Sequence, residues 1–579
     1  MSSRVIHIIT ALIQIAILTS ASPLFQPLPI PANAPKIDLN YTRYVGAKLS
    51  NGVNAFLGMR YAAAPLGDLR WRAPVEPERS TLSWEPALAF QPVCLGNAVG
   101  PPYLGEDEDC LFVNVWAPSN ATVNSRLPVW VFIQGGGYVF NSNANYDGAE
   151  VVEKSGHNIV MVNFNYRVGV WGFLASEKLR ADGDLNVGLL DQRRLLLWVK
   201  QYISRFGGDP DHVVIHGASA GAGSVALHLS AYGGRDDGLF VGAISESLFF
   251  PAQPYVHELE WQFDRILQAV GCYSYDSAAA MACLRSRDME TLQSLNIALA
   301  FPGRTAPPNP LFYWTPCIDG DFIQDLPYVL FETGRFLKMP VIFGTDTDEG
   351  SAFATDAASP SDIISFFQDN YPLLTLNDTL AILSHYQVLA PLPYHNPWFP
   401  TASLAYGEAT FVCPSLNLLS HITSFTTTPP ATLNNNNRSR SIFAYRYNVL
   451  DTVNLAAGIG VPHIFEAAAV FGPANLPPVQ VAASYFTYNA PVVPLVMGYW
   501  ISFVRALDPN VYRAAGAPMW EGWDGRAGGG GGEGGRGQRL KIELGDTCME
   551  DVGEGESGRC DFWEGMGRSM RQKRRGRRG

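Results

Sequence analysis

The sequence predicts an α/β fold with a mostly parallel central sheet flanked by helices. Three observations carry that expectation: short, near-continuous apolar runs, longer helical stretches between them, and a Gly-x-Ser-x-Gly turn where one run passes into a helix.

The runs Pro128–Ile133, Asn158–Asn163, His212–Ile215, Val241–Ser245 and Pro340–Phe343 read as buried strands. Their lack of polar alternation suits strands covered on both faces. Between Ile159 and Ser219 the chain reads strand, loop, helix over Leu189–Phe206, and strand again, the βαβ unit from which such sheets are made. The apolar stretch Val492–Leu507 contains Pro494 and Arg505 and reads as a core helix rather than a membrane span. No internal repeat points to a solenoid or propeller.

At the start, Arg4 precedes an apolar stretch, Val5–Leu18, that closes on the small residues Thr19, Ser20 and Ala21. Residues 1–21 are therefore expected to be a cleaved secretory signal peptide, the run being short of the roughly 20 apolar residues a span needs. No flexible linker interrupts residues 22–525, which predicts one large domain with insertions. Asn434–Asn437 reads as a low-complexity surface loop. The last part, 526–579, is Gly-rich over Gly528–Gly537 and basic over Arg568–Arg578, and is expected to be largely disordered.

Hydrophobic residues at 47% and charged residues at 16% describe a folded chain. A net charge of −12 excludes nucleic acid as a natural partner, since phosphate binding needs a basic surface. Export gives meaning to the sequons at Asn40, Asn120, Asn377 and Asn437 as glycosylation sites. The eight cysteines suit the same oxidising compartment, although the residues alone leave their connectivity open. With no Cys-x-x-Cys pair and no His cluster at ligand spacing, no metal is expected.

The sharpest chemical signal is Val213-Val-Ile-His-Gly-Ala-Ser219-Ala-Gly-Ala-Gly223, an apolar strand entering Gly-x-Ser-x-Gly and then a helix. This is the pattern of a nucleophile elbow. Gly217 and Gly221 permit a sharp turn that lifts the Ser219 hydroxyl above the sheet, facing the free N–H groups of the helix. A dinucleotide site would space its glycines as Gly-x-Gly-x-x-Gly, which this run does not.

A serine needs a base to take its proton, and the base needs a carboxylate to hold its tautomer. A strand and acidic loop, Pro340–Gly350, offers Asp346, Asp348 and Glu349, and a Gly-rich turn, Gly458–Glu466, offers His463. With ten histidines in the chain, spacing alone does not select among these candidates.

Further motifs do. Phe56–Tyr61 with Pro65–Arg70, Glu108–Val115, Asn165–Gly169, Asn186–Gln192 and Phe206–Pro210 resemble, in order, those of the type-B carboxylesterase/lipase family, the cholinesterase-like α/β-hydrolases. The likeness runs over roughly residues 40–525, with a last echo at Arg559–Trp563. It implies an α/β-hydrolase fold and a catalytic triad of Ser219, Glu349 and His463. It also implies an oxyanion hole made by the backbone N–H groups of Gly136, Gly137 and Ala220, and disulfides Cys94–Cys110 and Cys272–Cys283. Cys560 is left free or joined to Cys548, and Cys317 and Cys413 have no obvious partner.

The implied activity is that of a secreted, extracellular carboxylesterase acting on small ester substrates through an acyl-enzyme. It needs no cofactor and no stable membrane span. A lipase of longer acyl chains and a catalytically weak adhesion member of the family are the alternatives, the second disfavoured by an intact triad. Two departures stand out: Gln134 replaces the family's usual His before the glycine run, and Ala218 replaces its Glu before the nucleophile. The second removes a polar contact near the elbow and predicts an altered supporting network there, which bears on the efficiency of catalysis more than on its existence. The Cys94–Cys110 loop is short, with Tyr103 its one aromatic, which disfavours choline esters and a large lid.

Overall fold

The computed structural model describes residues 33–97, 105–304, 310–426, 441–523 and 537–573. The expected signal peptide, Tyr103, the Asn434–Asn437 loop and the Asn437 sequon lie outside the described residues.

The architecture is a single large sheet with helices on both faces. Its strands in chain order are β1 (Ala47–Lys48), β2 (Val53–Arg60), β3 (Phe112–Pro118), β4 (Leu127–Ile133), β5 (Val160–Phe164), β6 (Gly208–Ala218), β7 (Gly242–Glu246), β8 (Val341–Asp346), β9 (Ile442–Tyr447), β10 (Gln538–Ile542) and β11 (Cys548–Asp551). Across the sheet they are ordered β11-β10-β9-β8-β7-β6-β4-β5-β3-β2-β1. Strands β4 to β10 pair in parallel, while β1 to β3 and β11 pair antiparallel at the two edges.

Alternation along the strands builds two cores. In β4, Val129, Val131 and Ile133 join one apolar cluster and Trp130 and Phe132 the other. This is why the strand is apolar at every position: side chains at i and i+2 share a face, and both faces are covered. Helices α1 (Val187–Tyr202) and α2 (Ala220–Ser230) pack on the first face through Leu195, Val199 and Val225. α4 (Val492–Ala506) covers the second through Val496, Trp500 and Phe503. It is a core helix as expected, and among the described residues no helix is long and apolar enough to cross a membrane.

The end of the chain corrects an expectation. Residues 526–579 were expected to be largely disordered, yet 538–551 add β10 and β11 to the sheet and α5 (Glu554–Met566) packs beside α3 (Cys413–Thr426). Leu540 and Ile542 are buried, and Arg539 is held by Glu550 at 2.8 Å and by both oxygens of Glu556 at 2.7 and 2.8 Å. The basic stretch is partly engaged too: Arg571 pairs with Glu258 and Lys573 with Glu564. These polar segments gain their order from sheet partners far away in sequence, which a local reading of composition does not detect.

Cys94–Cys110 and Cys272–Cys283 are bonded, as the resemblance implied. Cys413 bonds Cys560 across 147 residues, so Cys560 is neither free nor joined to Cys548, and Cys413 has a partner. Cys317 is free and buried; Cys548 is free and exposed.

Candidate active site

Strand β6 ends at Ala218, and Ser219 turns the chain into α2 with φ 58° and ψ −123°. A non-glycine residue at positive φ is strained and persists only where its surroundings over-determine it. Here they do. A Cβ on Gly217 would fall 2.1 Å from the Gly221 oxygen, and one on Gly221 would fall 2.0 Å from the Ile133 oxygen, so only glycines let strand, turn and helix approach so closely. The Ser219 N–H donates to the Glu246 carbonyl at 2.9 Å, tying the elbow to β7.

The glycine run follows β4 beside this turn. A Cβ on Gly135 would come 2.8 Å from the Ser219 Cβ, which places the run against the nucleophile's side chain. Gly136 and Gly137 adopt φ of 114° and 61°, and no described group accepts from their N–H groups. Ala220 opens α2, where first-turn N–H groups have no partner within the helix.

The acid and the histidine come from the loops after β8 and β9. Glu349 begins a short 3-10 turn and is 1% exposed. Its Oε1 accepts from the Asp346 N–H at 2.8 Å, and its Oε2 lies 2.5 Å from His463 Nδ1. That contact assigns the ring proton to Nδ1 and leaves Nε2, which is buried without a partner among the described residues, as the basic nitrogen. Of the three acids offered by the loop, only Glu349 meets the histidine. Asp348 accepts from the Val461 N–H at 2.9 Å, and Asp346 accepts from the Phe465 N–H at 3.2 Å, so both position the histidine loop.

Aromatic rings join the halves of the site. Phe312 lies so close to Gly137 that a Cβ there would sit 2.1 Å from its ring. Phe249 packs on Phe312 with ring centroids 4.6 Å apart and on Phe411 at 5.7 Å, and Phe411 packs on His463 at 4.4 Å. Phe353 closes the circuit, 5.8 Å from Phe312 and 4.9 Å from His463. Phe312 also lines an apolar cavity of about 300 Å³ with Trp261, Phe301, Tyr371 and Tyr406. Nothing in the local sequence pattern of these aromatics separates a site wall from ordinary core.

A carboxylesterase-family model matches residues 33–528. The chain belongs to the carboxylesterase family. A crystal structure of Aspergillus niger EstA, 48% identical, superposes on this carboxylesterase-family chain with a TM-score of 0.86, over 93% of this chain and 99% of that one. At that identity and overlap the α/β-hydrolase fold is shared. Secreted lipase 1 of Botryotinia fuckeliana is 30% identical over 502 residues, 79% of this chain and 82% of that protein. Lipase 2 of Geotrichum candidum is 35% identical over 364 residues, 56% of this chain; the match spans 64% of that lipase's length. Among the described residues of this family member, no group of His, Cys, Asp and Glu is placed to hold a metal ion.

Proposed function

We propose that the chain is a secreted serine carboxylesterase that hydrolyses carboxylic esters through an acyl-enzyme, with Ser219, His463 and Glu349 as its triad. The carrying observation is the combination of a strained Ser219 at the head of α2 with a His463–Glu349 contact that leaves Nε2 unpartnered among the described residues. Unpartnered buried nitrogens are rare, and this one faces the task of a general base.

In this reading His463 Nε2 takes the hydroxyl proton as Ser219 Oγ attacks the ester carbonyl. Glu349 holds the ring and stabilises the imidazolium. The N–H groups of Gly136, Gly137 and Ala220 meet the oxygen that becomes negative in the tetrahedral intermediate, a contribution of about 3 kcal/mol for each donor. His463 returns the proton to the leaving alcohol, and water activated by the same nitrogen releases the acid.

Export is part of the proposal. It is supported by the apolar leader, the disulfides and a relative named as a secreted lipase. Asn40, Asn120 and Asn377 are exposed and accessible to glycosylation. Small soluble esters are the preferred substrates of this reading, while the lipase names of two relatives make long acyl chains the competing arm of the test.

Hydrolysis of p-nitrophenyl esters from acetate to palmitate by the secreted protein, with Ser219→Ala as control, decides the matter. Loss of activity on the order of a millionfold in the variant identifies the nucleophile. A folded parent inactive at every chain length removes the esterase reading, and faster turnover of triglyceride emulsions than of short esters removes the substrate preference.

A further inference from the structure

A second polar assembly lies behind the elbow, on the face of the sheet away from α2. His216 precedes Ala218 by two residues on β6 and so shares its face, and Glu246 pairs in register with Ala218 from β7. Side chains opposite one another on neighbouring strands point to the same side. The Glu246 carboxyl therefore occupies the level and face at which a larger residue at position 218 would project.

Its contacts are specific. The Trp130 indole N–H, which can only donate, meets His216 Nδ1 at 3.0 Å. That makes Nδ1 the bare acceptor and puts the ring proton on Nε2, 3.0 Å from Glu246 Oε1. The approach is off-line for a full hydrogen bond, and neither Glu246 oxygen finds an aligned partner among the described residues. Both side chains are fully buried, with the His216 ring enclosed by Trp130, Phe132 and Phe471 at centroid distances of 5.6, 5.0 and 5.7 Å. The Glu246 backbone carbonyl, meanwhile, accepts from the Ser219 N–H.

We infer that Glu246 is a positioning residue for the nucleophile, its carboxyl seated against His216 so that its own backbone holds Ser219, in place of the side chain that Ala218 lacks. A buried polar group without an aligned partner is costly, so its presence calls for a role. The groups facing Glu246 are His216, the Trp500 indole and the buried Glu466, Tyr146, Tyr445 and Tyr447, none of them a permanent cation. Burial holds the Glu246 carboxyl up at about 8, so at neutral pH it is the protonated acid, which glutamine closely imitates.

The inference rests on the esterase reading above, and its test separates the two. Parent, Ser219→Ala, Glu246→Ala and Glu246→Gln are compared by kcat and KM on a p-nitrophenyl ester at pH 7, with thermal unfolding measured in parallel. Expected is a fall in kcat of about ten- to hundredfold for Glu246→Ala with KM within about twofold, since small displacements of a reacting group cost that much. Glu246→Gln should recover most of it. If Glu246→Ala does not fold, His216→Phe, which keeps a ring in the same cage, is expected to show the same fall in kcat. An active parent that needs Ser219 while Glu246→Ala or His216→Phe turns over like the parent overturns this inference alone. A Glu246→Gln as impaired as Glu246→Ala also overturns it. An inactive parent overturns the esterase reading and this inference with it.

Discussion

His463 Nδ1 lies 2.5 Å from Glu349 Oε2 across 114 residues of chain, while the other ring nitrogen is buried without a partner among the described residues. Of the three neighbouring acids, Glu349 alone contacts the ring. Replacing Glu349 by glutamine keeps the shape but offers His463 an amide that can fix the wrong tautomer. Glu349→Gln is expected to lower kcat by roughly 10⁴-fold with the fold intact, measured by steady-state kinetics on a short ester. A variant within tenfold of the parent would pass the role to another acid.

Gly137 is the second test. At φ 61° with the Phe312 ring in the place of a Cβ, alanine there both strains the turn and pushes the ring aside. Gly137→Ala is expected to reduce kcat by about 10²-fold or more through loss of an oxyanion donor, with a smaller effect on KM.

Stability should depend on pH through the buried groups behind the elbow. Burial raises the carboxyl of Glu246 from 4.5 to about 8 and that of Glu466 from 4.5 to about 7. Between these limits the folded state holds protons that the unfolded chain has released, so this stabilisation is present below pH 4.5 and is lost as pH rises through about 7 to 8. His216 acts in the opposite direction: burial pushes it down from 6.5 to about 3, so stability is lost as pH falls from 6.5 towards 3. The midpoint of thermal unfolding is expected to decline from pH 6 to pH 9, and Glu246→Gln should decline less. Parallel curves would show that Glu246 does not titrate in that window.

The Cys413–Cys560 bond ties α3 to the C-terminal helix α5, and Cys413 follows directly on the helical segment that carries Phe411 against His463. Cys413→Ser with Cys560→Ser is expected to cost about 2–5 kcal/mol in stability. Chemical denaturation of the double variant checks this. A midpoint equal to the parent's would show that the ion pairs of Arg539 with Glu550 and Glu556, and of Arg559 with Glu408, hold the segment unaided.

Much of the architecture could be read in advance because it rests on local chemistry. The parallel strands β4 to β8 hold apolar runs, 129–133, 213–215 and 341–343 among them, since both faces are buried, and Gly217 is dictated by the backbone of Gly221 four residues on. Glu349 and His463 were less accessible from the residues alone. An acid and a histidine more than a hundred positions apart carry no shared local pattern, and only the ordered motifs of the family singled them out.

By itself, then, the sequence determined the sheet's central strands, the helix α1 between them and the strand–turn–helix that presents Ser219, because steric limits on φ and the burial of alternate side chains act over neighbouring residues. Tertiary structure alone decided the rest. It paired Cys413 with Cys560, seated Glu246 beside Ala218 and drew the polar segment 538–551 into the sheet. Each of these is a contact between groups distant in sequence, fixed by which strands become neighbours, and the closing of those long loops leaves no trace in local composition.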